Sequence, residues 1–171
     1  PYYMRAYLKK AEILAYGKKD YDEALRFLAS IDATVLSQTD EGEKARYYAV
    51  YGDLHYRRGA FGEAIESYKR AVAIEKENID YLAVLAKIYQ ETNQASLALE
   101  YYDRALAVNN RHVPSIIGKA EIFIRLRKYN EAFLEIAKID VETVTEAGHL
   151  LRLGNLYFRQ GERERALQLY E

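Results

Sequence analysis

The chain has 171 residues, the length of one ordinary domain, and half of them are hydrophobic, enough to fill a packed core. Charged residues make up 30% but nearly cancel to a net charge of −1, which gives no global reason to expect nucleic acid or an anionic membrane as partner. Cysteine is absent, which excludes a disulfide framework and thiolate metal sites, and no apolar run approaches the roughly 18 residues of a membrane span.

Seventeen tyrosines, no tryptophan and only two prolines suit long helices joined by short turns better than a sheet. No signal-peptide pattern opens the chain, and Pro1 rather than Met stands first, so the sequence reads as a piece of a longer protein. Its compartment, cytoplasmic or periplasmic, is left open.

In chain order, a first unit over 5–38 is anchored by Tyr21-Asp22-Glu23-Ala24-Leu25, which parallels Phe61-Gly62-Glu63-Ala64-Ile65. Ala24 lies 40 residues before Ala64, whereas Ala64, Ala98, Ala132 and Ala166 are spaced by 34. Gly52, Ala86, Ala120 and Gly154 keep the same step of 34. About six extra residues are therefore placed at 39–44, where the polar stretch from Thr39 to Lys44 reads as an inter-repeat loop. Units at 45–78, 79–112, 113–146 and a truncated 147–171 follow.

Inside each unit the apolar residues step by three and four, the period of an amphipathic helix, as in Tyr48, Tyr51, Gly52 and His55, then Ala64, Tyr68 and Ala71. Gly59, Asn93 and Gly161 separate the two runs, at a place where a left-handed residue ends a helix. Each unit is thus predicted to be two helices of roughly 12–15 residues. The small residues let them approach closely, while Tyr68, Tyr102, Leu153 and Tyr170 fill the space between hairpins. One hairpin cannot bury its own apolar face, so stability must come from stacking.

This pattern resembles the tetratricopeptide repeat, with its W-x2-L-G-x2-Y…A-x3-F…P consensus. The matching stretches are Leu150-x2-Leu153-Gly154-x2-Tyr157…Ala166-x3-Tyr170 and Leu82-x2-Leu85-Ala86-x2-Tyr89…Ala98-x3-Tyr102. Tyr48, Leu82, Ile116 and Leu150 replace the Trp, and Lys76 and Asn110 stand where the closing Pro is expected. Glu12 occupies a small-residue position and Lys119 a Leu position, so the first and fourth units should pack less regularly. The resemblance implies an all-α, right-handed superhelical solenoid of about five helix-turn-helix repeats in a single domain over 1–171.

Catalytic signatures are absent. His55, His112 and His149 fall at different repeat positions, and no metalloprotease, phosphate-loop or nucleophile-elbow motif is present. His55 replaces a packing Tyr and is assigned to the hairpin interior. Acidic residues such as Asp22, Glu23, Glu162 and Glu164 open second helices, where they complement the helix dipole. Arg57, Arg58, Arg125, Arg127 and Lys128 close first helices, as solvated ends or as an anion-binding patch. No cofactor and no metal is expected.

The resemblance further implies a concave wall lined by the first helices. The repeat positions that face it hold Tyr16 in the first unit, Arg46, Val50, Asp53, Tyr56 and Arg57 in the second, and Lys87 in the third. Glu121, Ile124 and Arg125 follow in the fourth, and Arg152, Asn155 and Phe158 in the fifth. The Lys and Asn clamp by which chaperone-binding members hold a peptide carboxylate is missing, since its places carry Lys9 and Ile13, Val50 and Asp53, then Val84 and Lys87.

Tyr16, Tyr56, Ile124 and Phe158 share one repeat position, with Ala49, Val50, Ala83, Val84, Ile117 and Leu151 beside them. Two readings stay open: an apolar groove that receives an apolar or amphipathic segment of a protein partner, or side chains that pack within the solenoid. The function expected is a non-catalytic interaction scaffold binding a protein or peptide. The alternative is a spacer or assembly module of a larger secretion or exopolysaccharide-export protein. The apolar faces of Leu153, Tyr157, Leu167 and Tyr170 are expected to lack a neighbour, which suggests head-to-tail self-association.

Overall fold

A computed structural model of the chain describes residues 2–17, 20–31 and 33–171; Pro1 lies outside them. Among the described residues every regular element is helical. The chain forms two compact units, residues 1–88 and 89–171.

The N-terminal unit opens with α1 (Tyr2–Glu12), which runs into a π-helical turn over Ile13–Gly17. Met4, Leu8, Ala11, Leu14 and Ala15 all face inward there, although the last two lie beyond the regular helix. Helix α2 (Tyr21–Ala29) starts at Asp20, whose Oδ1 accepts from the Glu23 backbone N–H at 2.8 Å. Its Ala24, Leu25 and Leu28 complete this core together with Tyr47 and Leu54 of α4 (Glu41–Arg57).

Residues 39–44 do not form the expected loop. Asp40 caps α4, accepting from the Glu43 N–H at 3.0 Å, and residues 41–44 are already helical. The reason is local: Asp40 with Glu43 three residues on is a helix-start signature, and it outweighs the polarity of the stretch. A further helix instead occupies 33–38 (α3, Ala33–Gln38), after α2 has ended at Ala29. Helices α4 and α5 (Phe61–Ile74) then make a full hairpin. Gly52 of α4 lies against the Tyr68 ring of α5, where a Cβ would come within 2.7 Å of Tyr68 Cδ2. Helix α6 (Ile79–Glu91) follows.

The C-terminal unit carries α7 (Ala95–Val108), α8 (Val113–Arg125), α9 (Tyr129–Ile136), α10 (Ala147–Arg159) and α11 (Arg163–Tyr170). Ile116, Ile117 and Ala120 pack with Ala132, Ile136, Leu153, Leu156 and Ala166 in its core. Lys119 sits within this packing and is held by Asp103 at 2.6 Å and Glu135 at 3.0 Å; Glu135 also takes Lys138 at 2.7 Å. Two carboxylates around one ammonium make a Lys tolerable where the repeat pattern calls for Leu.

Second helices of 12–15 residues hold for α5 and α7 but not for α2, α9 and α11, which have 9, 8 and 8 residues. After α9 the chain turns back to bury Ile139 and Val144 in the same core, and this ends the helix early.

Four hairpin turns share one device. A left-handed residue follows the leading helix at Gly59, Asn93, Arg127 and Gly161. The next amide donates back five residues, from Ala60 to His55, Gln94 to Tyr89, Lys128 to Phe123 and Glu162 to Tyr157, at 2.8–3.0 Å. This Schellman-type closure fixes the angle at which the second helix returns.

Candidate functional site

The side chains singled out by repeat position lie on the leading helices, with Tyr16 in the π-helical turn after α1. In the N-terminal unit, Tyr16 donates its hydroxyl proton to Asp53 Oδ2, and Arg57 Nε donates to the same oxygen at 2.9 Å. The Arg57 guanidinium also lies 5.0 Å from the Tyr16 ring centroid. Burial first, then the bond to Asp53, pushes the Tyr16 hydroxyl up to about 12. Lys87 stands over the Tyr56 ring at 5.1 Å, and Tyr56 tilts against Phe61 at 5.9 Å. Arg46 approaches Glu12 at 3.8 Å, and Val50 is half-buried against the core.

In the C-terminal unit, Arg152 grips Glu121 with Nε at 2.8 Å and Nη2 at 2.9 Å, while Gln90 Nε2 donates to Glu121 Oε2 at 2.8 Å. Burial opposes the Arg152 charge, yet the Glu121 bonds outweigh it and the pKa is raised. Gln90 Oε1 accepts from the Tyr102 hydroxyl, and Asn155 Oδ1 from the Tyr170 hydroxyl, both at 2.9 Å. Arg125 reaches the Gln90 carbonyl at 3.3 Å and Asn93 Oδ1 at 3.2 Å. Gln90, Glu121, Arg125, Arg152, Asn155, Phe158 and Arg159 line one cleft of about 520 Å³.

The expected apolar groove is narrower than the sequence suggests. Ile124 is only 8% exposed and belongs to the C-terminal core, and Ala49, Ala83 and Ile117 are likewise buried. Helix packing accounts for the burial of these side chains, and Ile124 keeps only a small edge on the cleft. Tyr16, Leu151 and Phe158 remain open, at 47%, 55% and 58%. The unpaired end faces also need correction: Leu153 and Tyr157 are covered by the C-terminal core, whereas Leu167 and Tyr170 are exposed.

The histidines make no constellation. His55 is buried with its ring edge-on to Tyr51 at 4.7 Å, and burial lowers its pKa. His112 Nδ1 meets Ser115 Oγ at 2.8 Å, and His149 Nδ1 lies 3.3 Å from Glu146. Among the described residues no group of three His, Cys, Asp or Glu side chains converges as a metal site. No helix among the described residues is long and apolar enough to cross a membrane.

Sequence reasoning had placed Glu121 and Arg152 on the same wall without pairing them. The signal was available, because they sit 31 residues apart, nearly one repeat, with opposite charge.

Comparison with known proteins bears on the fold. Three stretches match tetratricopeptide repeat profiles, over residues 52–93, 79–112 and 147–171. A tetratricopeptide repeat protein from Parabacteroides merdae superposes with a TM-score of 0.75 at 21% identity, over 97% of this chain. This chain spans 63% of that protein's length. The MamA protein gives 0.70 at 16% identity, over 98% of this chain and 87% of its own. YrrB, described as a TPR protein with an unusual peptide-binding site, gives 0.64 at 21%, over 95% and 80%. At such identities the likeness speaks to the fold, an all-α helical-repeat solenoid. No match was found among curated protein sequences.

Proposed function

The chain belongs to the tetratricopeptide repeat family, and from that premise we propose that it takes up an amphipathic segment of a partner protein on the open faces of its leading helices. The family is a protein-interaction module, and a peptide-binding site is ascribed to its structural relative YrrB. One observation carries the reading: Phe158 and Leu151 stay more than half exposed on α10 while Ile124 and Ile117, at the same repeat positions of α8, are buried. Large apolar side chains left open beside a charged cleft fit a partner's apolar residues better than solvent.

The test is selection of peptides from a random display library on the folded chain, followed by binding to a Tyr56→Ala, Phe158→Ala double variant. The reading expects enriched peptides whose affinity falls at least about ten-fold in the variant. Unchanged affinity in a folded double variant removes the leading-helix faces from consideration.

A second reading, an assembly module within a larger protein, draws support from Leu134 and Leu167, exposed at 65% and 61% on second helices. Concentration-dependent light scattering that Leu134→Gln with Leu167→Gln abolishes would favour it. A strict monomer at high concentration would count against self-association.

A further inference from the structure

The cleft of the C-terminal unit has an unbalanced charge. Three guanidiniums line it, from Arg125, Arg152 and Arg159, against the single carboxylate of Glu121. Arg152 and Glu121 satisfy each other through two short bonds and leave no net charge between them. Among the described residues Arg125 meets only neutral oxygens, from the Gln90 backbone and the Asn93 amide. Arg159 makes no ion pair among the described residues, and both side chains are exposed. Arg125 and Arg159 occupy the same repeat position, 34 residues apart, so the ends of two successive leading helices present equivalent cations to one space.

Asn155 adds a donor. Its Oδ1 is engaged by the Tyr170 hydroxyl, which fixes the amide orientation and leaves the Nδ2 hydrogens uncommitted among the described residues. The donors around the cleft therefore favour an anion. Its apolar lining is Ile124, Leu156 and Phe158, of which only the Phe158 ring is exposed.

We propose that this cleft is a subsite for an acidic side chain of a partner segment, an Asp or Glu held between Arg125 and Arg159, with a neighbouring apolar residue resting on Phe158. The proposal deepens the scaffold reading and rests on it. Guanidiniums match a planar carboxylate with paired hydrogen bonds, and Glu121 with Arg152 shows the geometry already made once inside the cleft. The charge complementarity selects an acidic segment over a basic one.

Two fluorescent amphipathic peptides test this, identical but for Glu against Gln at the polar positions, each acetylated and C-terminally amidated so that only side chains carry carboxylates. Fluorescence polarisation should show the Glu–Leu peptide binding at least about ten-fold tighter than the Gln–Leu peptide, with the gap shrinking as salt is raised. Arg125→Gln with Arg159→Gln should abolish the preference, and Arg159→Gln alone, whose side chain makes no ion pair or hydrogen bond among the described residues, should reduce it. Phe158→Ala should weaken both peptides alike.

Equal affinity for the two peptides, binding of neither, or a preference that survives loss of both arginines overturns the proposal. Equal affinity that still depends on Phe158 leaves the scaffold reading standing and removes only the acidic subsite.

Discussion

Arg152 of α10 holds the Glu121 carboxylate of α8 with two nitrogens, at 2.8 and 2.9 Å, and so ties the leading helices of successive hairpins together. Both side chains are about a third exposed, which limits what the pair contributes. A double-mutant cycle with Glu121→Gln and Arg152→Met should give a coupling of about 1 kcal/mol in urea unfolding. A coupling indistinguishable from zero would mean that the pair orients the cleft without stabilising the stack.

Gly118 is buried under the Tyr102 ring, and a Cβ there would collide with the ring and its hydroxyl. That ring cannot swing aside freely, since its hydroxyl is bonded to Gln90. Gly118→Ala should therefore lose about 1–2 kcal/mol despite the better helix propensity of alanine. Gly62, with nothing within 4 Å of its would-be Cβ, should gain a few tenths to about 1 kcal/mol on the same change. Thermal unfolding of the two variants checks the opposite signs.

Arg127 adopts φ 59° at a hairpin turn where Gly59 and Gly161 serve in other repeats. A left-handed non-glycine residue costs about 1 kcal/mol, so Arg127→Gly should raise stability by up to that amount. A fall in melting temperature would show that the Arg127 side chain contributes more than its backbone strain costs.

Burial alone would raise the Glu135 pKa, but its bonds to Lys138 and Lys119 outweigh that and hold it below the usual 4.5. A depressed carboxylate contributes stability above its unfolded pKa and loses it as pH falls through the folded one. Stability should thus decline as pH drops below about 4.5, and Glu135→Gln should lack that part of the decline. Denaturant midpoints across a pH series read this directly.

Much of the fold was legible because the small residues are periodic. Gly52 beside Tyr68 and Gly154 beside Tyr170 are steric necessities, and such necessities leave a fixed spacing in the chain. The start of α4 was misplaced because polarity was read ahead of capping chemistry: Asp40 and Glu43 look like a loop until their three-residue spacing is noticed. The early end of α9 left no local trace, since it depends on Ile139 and Val144 finding the core of the same unit. The wall proposed to face a partner was legible by position only. Repeat phase brings Ile124 and Phe158 to one repeat position, but whether a side chain stays open depends on its neighbours, and only Phe158 remains so.

The central claim is that the leading-helix faces receive the partner. Amide chemical-shift mapping of the chain with a display-selected peptide tests it most directly. The expected result is that perturbed amides concentrate in α8 around Glu121–Arg125 and in α10 around Asn155–Arg159. Perturbations confined to the second helices α7, α9 and α11, with α8 and α10 unchanged, would contradict it.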